Sequence, residues 1–136
     1  MVHGVIKNWD DMELLWNHIY EALEVKQDEH SVLLTEAVFN PYGNRERMCE
    51  IFFEKLNVPK LFICSQALLP LYSFGKTTGV VLDCGDGVSQ CAPIYDGYIL
   101  NNTAQRINTG GKEVTNYLTM LLRHKGYVFK TSVSKN

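Results

Sequence analysis

Thr77-Thr78-Gly79-Val80-Val81-Leu82-Asp83-Cys84-Gly85-Asp86-Gly87-Val88 is the stretch on which the fold turns. A β-branched, apolar run enters an Asp-x-Gly-Asp-Gly turn and leaves it through Ser89 to Tyr95, a second strand-like run, so the segment reads as a β-hairpin. Gly85 and Gly87 free the backbone N–H groups to approach an anionic ligand and permit positive φ. Asp83 and Asp86 would repel a phosphate directly. A phosphate site containing them therefore requires a divalent cation or its waters between the charges. The pattern fits a hairpin for a metal-bound triphosphate, although Asp-Gly turns also close ordinary hairpins and spacing alone leaves both readings open. An EF-hand is excluded, because Gly85 and Gly87 stand at the third and fifth loop positions, where oxygen-bearing side chains are needed.

Downstream, Asp96-Gly97 separates the second run from Tyr98 to Leu100, which completes an antiparallel meander of three strands. Thr109-Gly110-Gly111-Lys112-Glu113 then opens a helix with Val114, Leu118, Leu121 and Leu122 on one side and Arg123, His124 and Lys125 in its last turn. Its first amides are either a second anion cradle or a glycine turn entering a helix; the loop is not a Walker A sequence. The tail from Thr131 is polar and expected to fray.

Upstream, Asn8 caps a helix whose apolar positions Trp9, Met12, Leu15/Trp16, Ile19 and Leu23 recur every three or four residues, with Asp10 and Asp11 in the first turn. Ser31 to Thr35 and Leu61 to Cys64 read as short buried strands. Between them, Asn40 to Asn44 reads as a turn, and helical spacing from Arg45 through Leu56 ends at Asn57-Val58-Pro59. Ser65 to Phe74 reads as a helix kinked at Pro70 and stopped by Gly75. Gln66 at its start either caps the helix or orients a metal-bound water through its amide. The change from helix and strand alternation to a hairpin series predicts two half-domains, residues 1–75 and 76–136.

The remaining composition is that of an ordinary globular chain. It has 136 residues, 46% hydrophobic and 21% charged, and 13 Lys+Arg against 15 Asp+Glu set a net charge of −2. That excludes a disordered segment and a polybasic nucleic-acid tail, so no nucleic-acid partner is expected. No apolar run is long enough for a membrane span and no secretory signal opens the chain, which predicts a cytoplasmic protein with no membrane partner. Cys49, Cys64, Cys84 and Cys91 lack zinc-site spacing and read as buried, reduced thiols. His3, His18, His30 and His124 are scattered and carry no ligand pattern. Asn101-Asn102-Thr103 matches a glycosylation acceptor, a chance match in a chain without a secretory route.

Several strings, in order, resemble actin: Asn8-Trp9-Asp10-Asp11-Met12-Glu13, Val32-Leu33-Leu34-Thr35-Glu36-Ala37, Asn40-Pro41 with Asn44-Arg45-Glu46, and the opening stretch itself. The likeness covers essentially the whole chain. Phe52-Phe53-Glu54 and Asn57-Val58-Pro59-x-Leu61-Phe62-Ile63 look closer to the dynactin-type actin-related protein, centractin, than to muscle or cytoplasmic actins.

The resemblance implies an α/β fold, the actin-like (ribonuclease H-like) ATPase fold, represented here in part. It implies a cytoskeletal, filament-forming protein that binds ATP and Mg2+. In family terms Gln66 and Asp83 would hold waters of the metal, Gly85, Asp86, Gly87 and Val88 would form a phosphate hairpin, and Gly111 would lie beside the nucleotide. Gln66, Asp83 and Gln90 are the catalytic candidates. Tyr72, Gly75, Thr77, Tyr98 and Leu100 match the cleft where actin-like subunits and actin-binding proteins dock. Residues 1–75 would be the later part of the first large subdomain with its hinge helix, and 76–136 the beginning of the second. The other phosphate hairpin would then precede Met1 and the adenine-contacting residues would follow Asn136, so weak or no ATP affinity is expected of the isolated chain.

Three departures stand out. Gln90 occupies the place where the family usually has a histidine that positions the hydrolytic water, which predicts slowed hydrolysis or a scaffold role. Pro70 and Gly110 replace an ordinary residue and a usual alanine.

Overall fold

The computed structural model describes residues 1–129; the expectation for the tail from Thr131 lies outside them. Asn8 caps α1 (Trp9–Leu23), its side-chain oxygen accepting from the N–H groups of Asp10 and Asp11. Strands β1 (Val32–Glu36) and β2 (Leu61–Ser65) pair in parallel, Val32 against Leu61 through Glu36 against Ser65. The connection between them is α2 (Tyr42–Glu50), prolonged by a wider π turn over Ile51–Lys55. Asn57, at φ 53, ends it.

The helices cover one face of this strand pair. Trp16 of α1 meets Phe52 edge-on at 4.7 Å between ring centroids, and Met48, Ile51, Leu56 and Val58 complete a buried cluster lined by Val32, Leu34, Leu61 and Ile63. The strands are consequently not buried on both faces as their apolar runs predict. Leu33 and Phe62, a register pair on the other face, are 55% and 61% exposed.

Two further sequence expectations are corrected. Asn40 to Asn44 is not all turn, because α2 already begins at Tyr42, straight after the extended Pro41. Asn44 donates to the Asn40 side chain at 3.2 Å and Arg45 pairs with Glu36, bonds that offset the poor helix propensity of Gly43 and Asn44. Pro70 does not kink a long helix either. α3 is only Leu68–Ser73, and Pro70 sits in its first turn, where a missing N–H breaks no intrahelical bond. Gly75, at φ 67, closes it as predicted, with its N–H on Tyr72 O.

The second sheet is the predicted meander of β3 (Gly79–Cys84), β4 (Ser89–Tyr95) and β5 (Tyr98–Ile99), plus an unpredicted strand, β6 (Gln105–Ile107). β3 runs along one edge of β4, while β5 and β6 share the other, β5 at Ile94–Tyr95 and β6 at Ser89–Cys91. A second core joins the early and late parts of the chain: Val38, Ala67 and Leu71 pack with Ala92, Ile94 and Ala104. α4 (Gly111–His124) follows, basic in its last turn. All four cysteines are free; Cys64 is buried as expected, but Cys84 is exposed because it lies on the outward face of β3 with Val80 and Leu82.

Candidate functional site

The β3–β4 hairpin tip lies at the surface, with Asp86 exposed and Gly85 and Gly87 half-buried. Gly85 N–H closes the turn onto Val88 O at 2.9 Å. The next three amides, those of Asp86, Gly87 and Val88, have no acceptor among the described residues. Successive unpaired N–H groups of this kind form a concavity for an anion. Neither Asp83 nor Asp86 is paired with a cation among the described residues, so both stay available to a metal ion or its waters.

The hairpin is held from behind. α4 aims its first amides at it: Gly111 N–H donates to Gly85 O and Lys112 N–H to Asp86 O, both at 2.9 Å. Of the two readings of the start of α4, the structure favours the glycine turn entering a helix, since hairpin carbonyls already satisfy the Gly111 and Lys112 donors. Gly110 is part of this contact; a Cβ there would stand 2.4 Å from Asp86 O and 2.5 Å from Gly85 O. Its N–H donates to Glu113 Oε2 at 2.9 Å, and that bond pulls the Glu113 carboxyl below the usual glutamate range. His3 Nδ1 lies 2.6 Å from Gly87 O, and Ser89 Oγ donates to Thr109 O at 2.7 Å.

Beside the tip, the three polar candidates Gln66, Asp83 and Gln90 form one chain of hydrogen bonds. Gln90 faces Asp83 across the hairpin. Its Nε2 donates to Asp83 Oδ2 at 2.8 Å and, more weakly, to Gln66 Oε1 at 3.4 Å. Its Oε1 accepts from Val38 N–H at 2.8 Å. A backbone donor on one side and a carboxylate on the other fix which end of the carboxamide is which. Gln90 is 1% exposed, whereas Gln66 is at the surface. Gln66 does not cap α3, which starts two residues later without a side-chain cap; its own N–H donates to Glu36 O.

A profile of the Actin family matches residues 1–135. The chain belongs to the actin family. It is 51% identical over 134 residues to an "Actin-like protein" from Neurospora crassa, a match covering 98% of this chain and 35% of that relative. The chain thus spans about a third of the length of the actin-family relative it matches, and its mixed helix and sheet architecture is part of an actin-like α/β fold.

The family motifs have visible structural reasons in this actin-family chain. Glu36, at the end of β1, accepts from Asn40 Nδ2 at 2.9 Å and from the Arg45 guanidinium, which pushes the Arg45 pKa up, the hydrogen bond being the largest cause. Of the docking candidates, Tyr72 and Thr77 meet at the Asp96–Gly97 turn: Gly97 N–H donates to Thr77 O at 2.8 Å, and a Cβ on Gly97 would touch Tyr72 Oη at 3.0 Å. Gly75 and Leu100 are exposed nearby in sequence. Tyr98 instead lines a groove of about 650 Å³ with Phe39, Tyr42 and Phe62.

Sequence reading missed His3, Val38 and Arg106. Arg106 Nη1 donates to Val38 O at 3.0 Å and its other nitrogen to His3 O. These partners are separated by 68 and 103 positions, so no short-range pattern could have exposed them.

Proposed function

We propose that this chain contributes one arm of a Mg-ATP site to a filament-forming, cytoskeletal actin-family protein of the cytoplasm. Residues 1–75 act as the end of the first large subdomain and 76–136 as the start of the second. The single observation that carries this reading is the hairpin tip, where three amides without an acceptor among the described residues stand beside two carboxylates that no cation among those residues neutralises. The amides of Asp86, Gly87 and Val88 would take phosphate oxygens, and Asp83 and Gln66 would orient waters of a magnesium ion. Gly111 lies against the same loop. Magnesium, when bound, supplies charge neutralisation between phosphate and carboxylates.

NMR titration tests this reading. Millimolar Mg-ATP should shift the amides of Gly85 to Val88 in saturable fashion, with the effect reduced by chelating magnesium or by Asp83→Asn. Unmoved hairpin amides, or equal shifts with and without magnesium, would refute it.

A second reading, an actin-related interaction subunit with little hydrolysis, is favoured by Gln90. Its carboxamide is buried and engaged on both ends, which ties it to protein partners rather than to a water. In that reading actin-like subunits or actin-binding proteins dock around Tyr72, Gly75, Thr77, Tyr98 and Leu100. Phosphate release from Mg-ATP measured on a full-length version, with Gln90→His alongside, separates the two: rapid release in the parent removes the scaffold reading.

A further inference from the structure

We infer that Gln90 is a positioning residue: it fixes the Asp83 carboxylate against the Val38 loop and takes no part in activating water. The inference rests on the Mg-ATP reading of the hairpin for its functional meaning, and on geometry alone for its structural one. A carboxamide has one acceptor oxygen and two N–H donors. Here the oxygen holds Val38 N–H, a backbone donor in the second core, and the nitrogen serves Asp83 and Gln66. With 1% of the residue exposed, the second lone pair of that oxygen is turned away from solvent.

The consequence for Asp83 is directional. Oδ2 is occupied by Gln90, so Oδ1 is the oxygen left for a hydrated metal. A side chain anchored to a backbone amide 52 residues away in sequence keeps that carboxylate in place without ordering a long flexible side chain at binding, which lowers the entropy cost of assembling the site. Because the carboxamide is neutral, the hold on Val38 does not depend on its own protonation, unlike an imidazole in the same place.

Hydrogen exchange on the whole chain, read by NMR, tests this. Gln90→Met keeps length and apolar bulk but removes every polar contact. Val38 N–H should then lose protection by at least about tenfold, while the Ile51 amide in the other core stays within about threefold. The Mg-ATP midpoint read at Gly85 to Val88 should rise by at least about fivefold in the same variant. Unchanged Val38 protection in folded Gln90→Met overturns the inference. A normal midpoint in that variant overturns its functional half. Should parent protein show no Mg-ATP response at all, the reading of the hairpin fails while the exchange result still decides the role of Gln90. If Gln90→Met does not fold, the parent's Gln90 side-chain NH2 decides: exchange as fast as a free carboxamide refutes the hold, and strong slowing supports it.

Discussion

Gln90 and Arg106 face each other across the β4–β6 pair and grip one residue between them: Gln90 takes the N–H of Val38, and Arg106 takes its C=O. Two side chains thus do for Val38 what a neighbouring strand would do. The loop after β1 is tied to the second sheet through this one residue, next to the hairpin.

Arg106→Met should loosen that tie. Hydrogen bonds to charged groups contribute about 1.5–3 kcal/mol each, and Arg106 makes two, to Val38 O and to His3 O. Because Arg106 is only half-buried, a loss near 2 kcal/mol in total is expected from urea unfolding. Arg106→Lys should recover less than half, since one ammonium does not span both carbonyls as the fork does. Equal stability of all three proteins would contradict the assignment.

Gly110→Ala should be costly even though alanine is the residue expected there from the family. The added methyl would lie 2.4 Å from Asp86 O and 2.5 Å from Gly85 O, both backbone atoms of the hairpin. The hairpin or α4 has to move, at about 1–3 kcal/mol. Amide shifts should concentrate at Gly85, Asp86, Gly111 and Lys112; a variant as stable as the parent with an undisturbed hairpin spectrum would show that the contact is looser than described.

Phe52 is 1% exposed and carries the edge-on contact with Trp16. Phe52→Ala should cost about 3–5 kcal/mol, a large part of the stability of a small domain, and Ile51→Val about 0.5–1.5 kcal/mol. Trp16 fluorescence during urea unfolding reports both. A Phe52→Ala cost below that of Ile51→Val would remove this cluster as the main core.

Acidification tests Glu113. Its folded pKa is depressed by the Gly110 N–H, so its contribution is fully present above the unfolded value, about 4.3, and is lost as pH falls through the lower folded value. The stability difference between parent and Glu113→Gln should therefore be flat from about pH 5 to 7 and shrink below about pH 4. A difference that grows on acidification would reverse the sign and reject the cap.

Much of this was legible in order. Asn8 and the 3.6-residue spacing foretold α1, and the Asp-Gly punctuation foretold the β3–β4 hairpin and its tip, because caps and tight turns are decided within a few residues. Gln66, Asp83 and Gln90 were grouped by the family resemblance, yet nothing local in the sequence said that they touch. The errors have the same origin. β6 is three residues long and pairs with the start of β4, too short to leave a periodic signal. Leu33 and Phe62 look buried in a list of residues, but whether a helix covers that face depends on elements elsewhere in the chain.

By itself the sequence determined where the chain turns, which faces of its helices are apolar, and that glycines and carboxylates share one hairpin tip. Those features depend on local sterics and on the spacing of side chains along the backbone. Only the tertiary structure decided that α4 presses its first amides onto that tip, that Gln90 spends both ends on protein partners, and that Val38 is tied by two side chains of the second sheet. These depend on packing residues up to 68 positions apart into contact, where small differences in close-packed cores and directional bonds select one arrangement among many with the same local pattern.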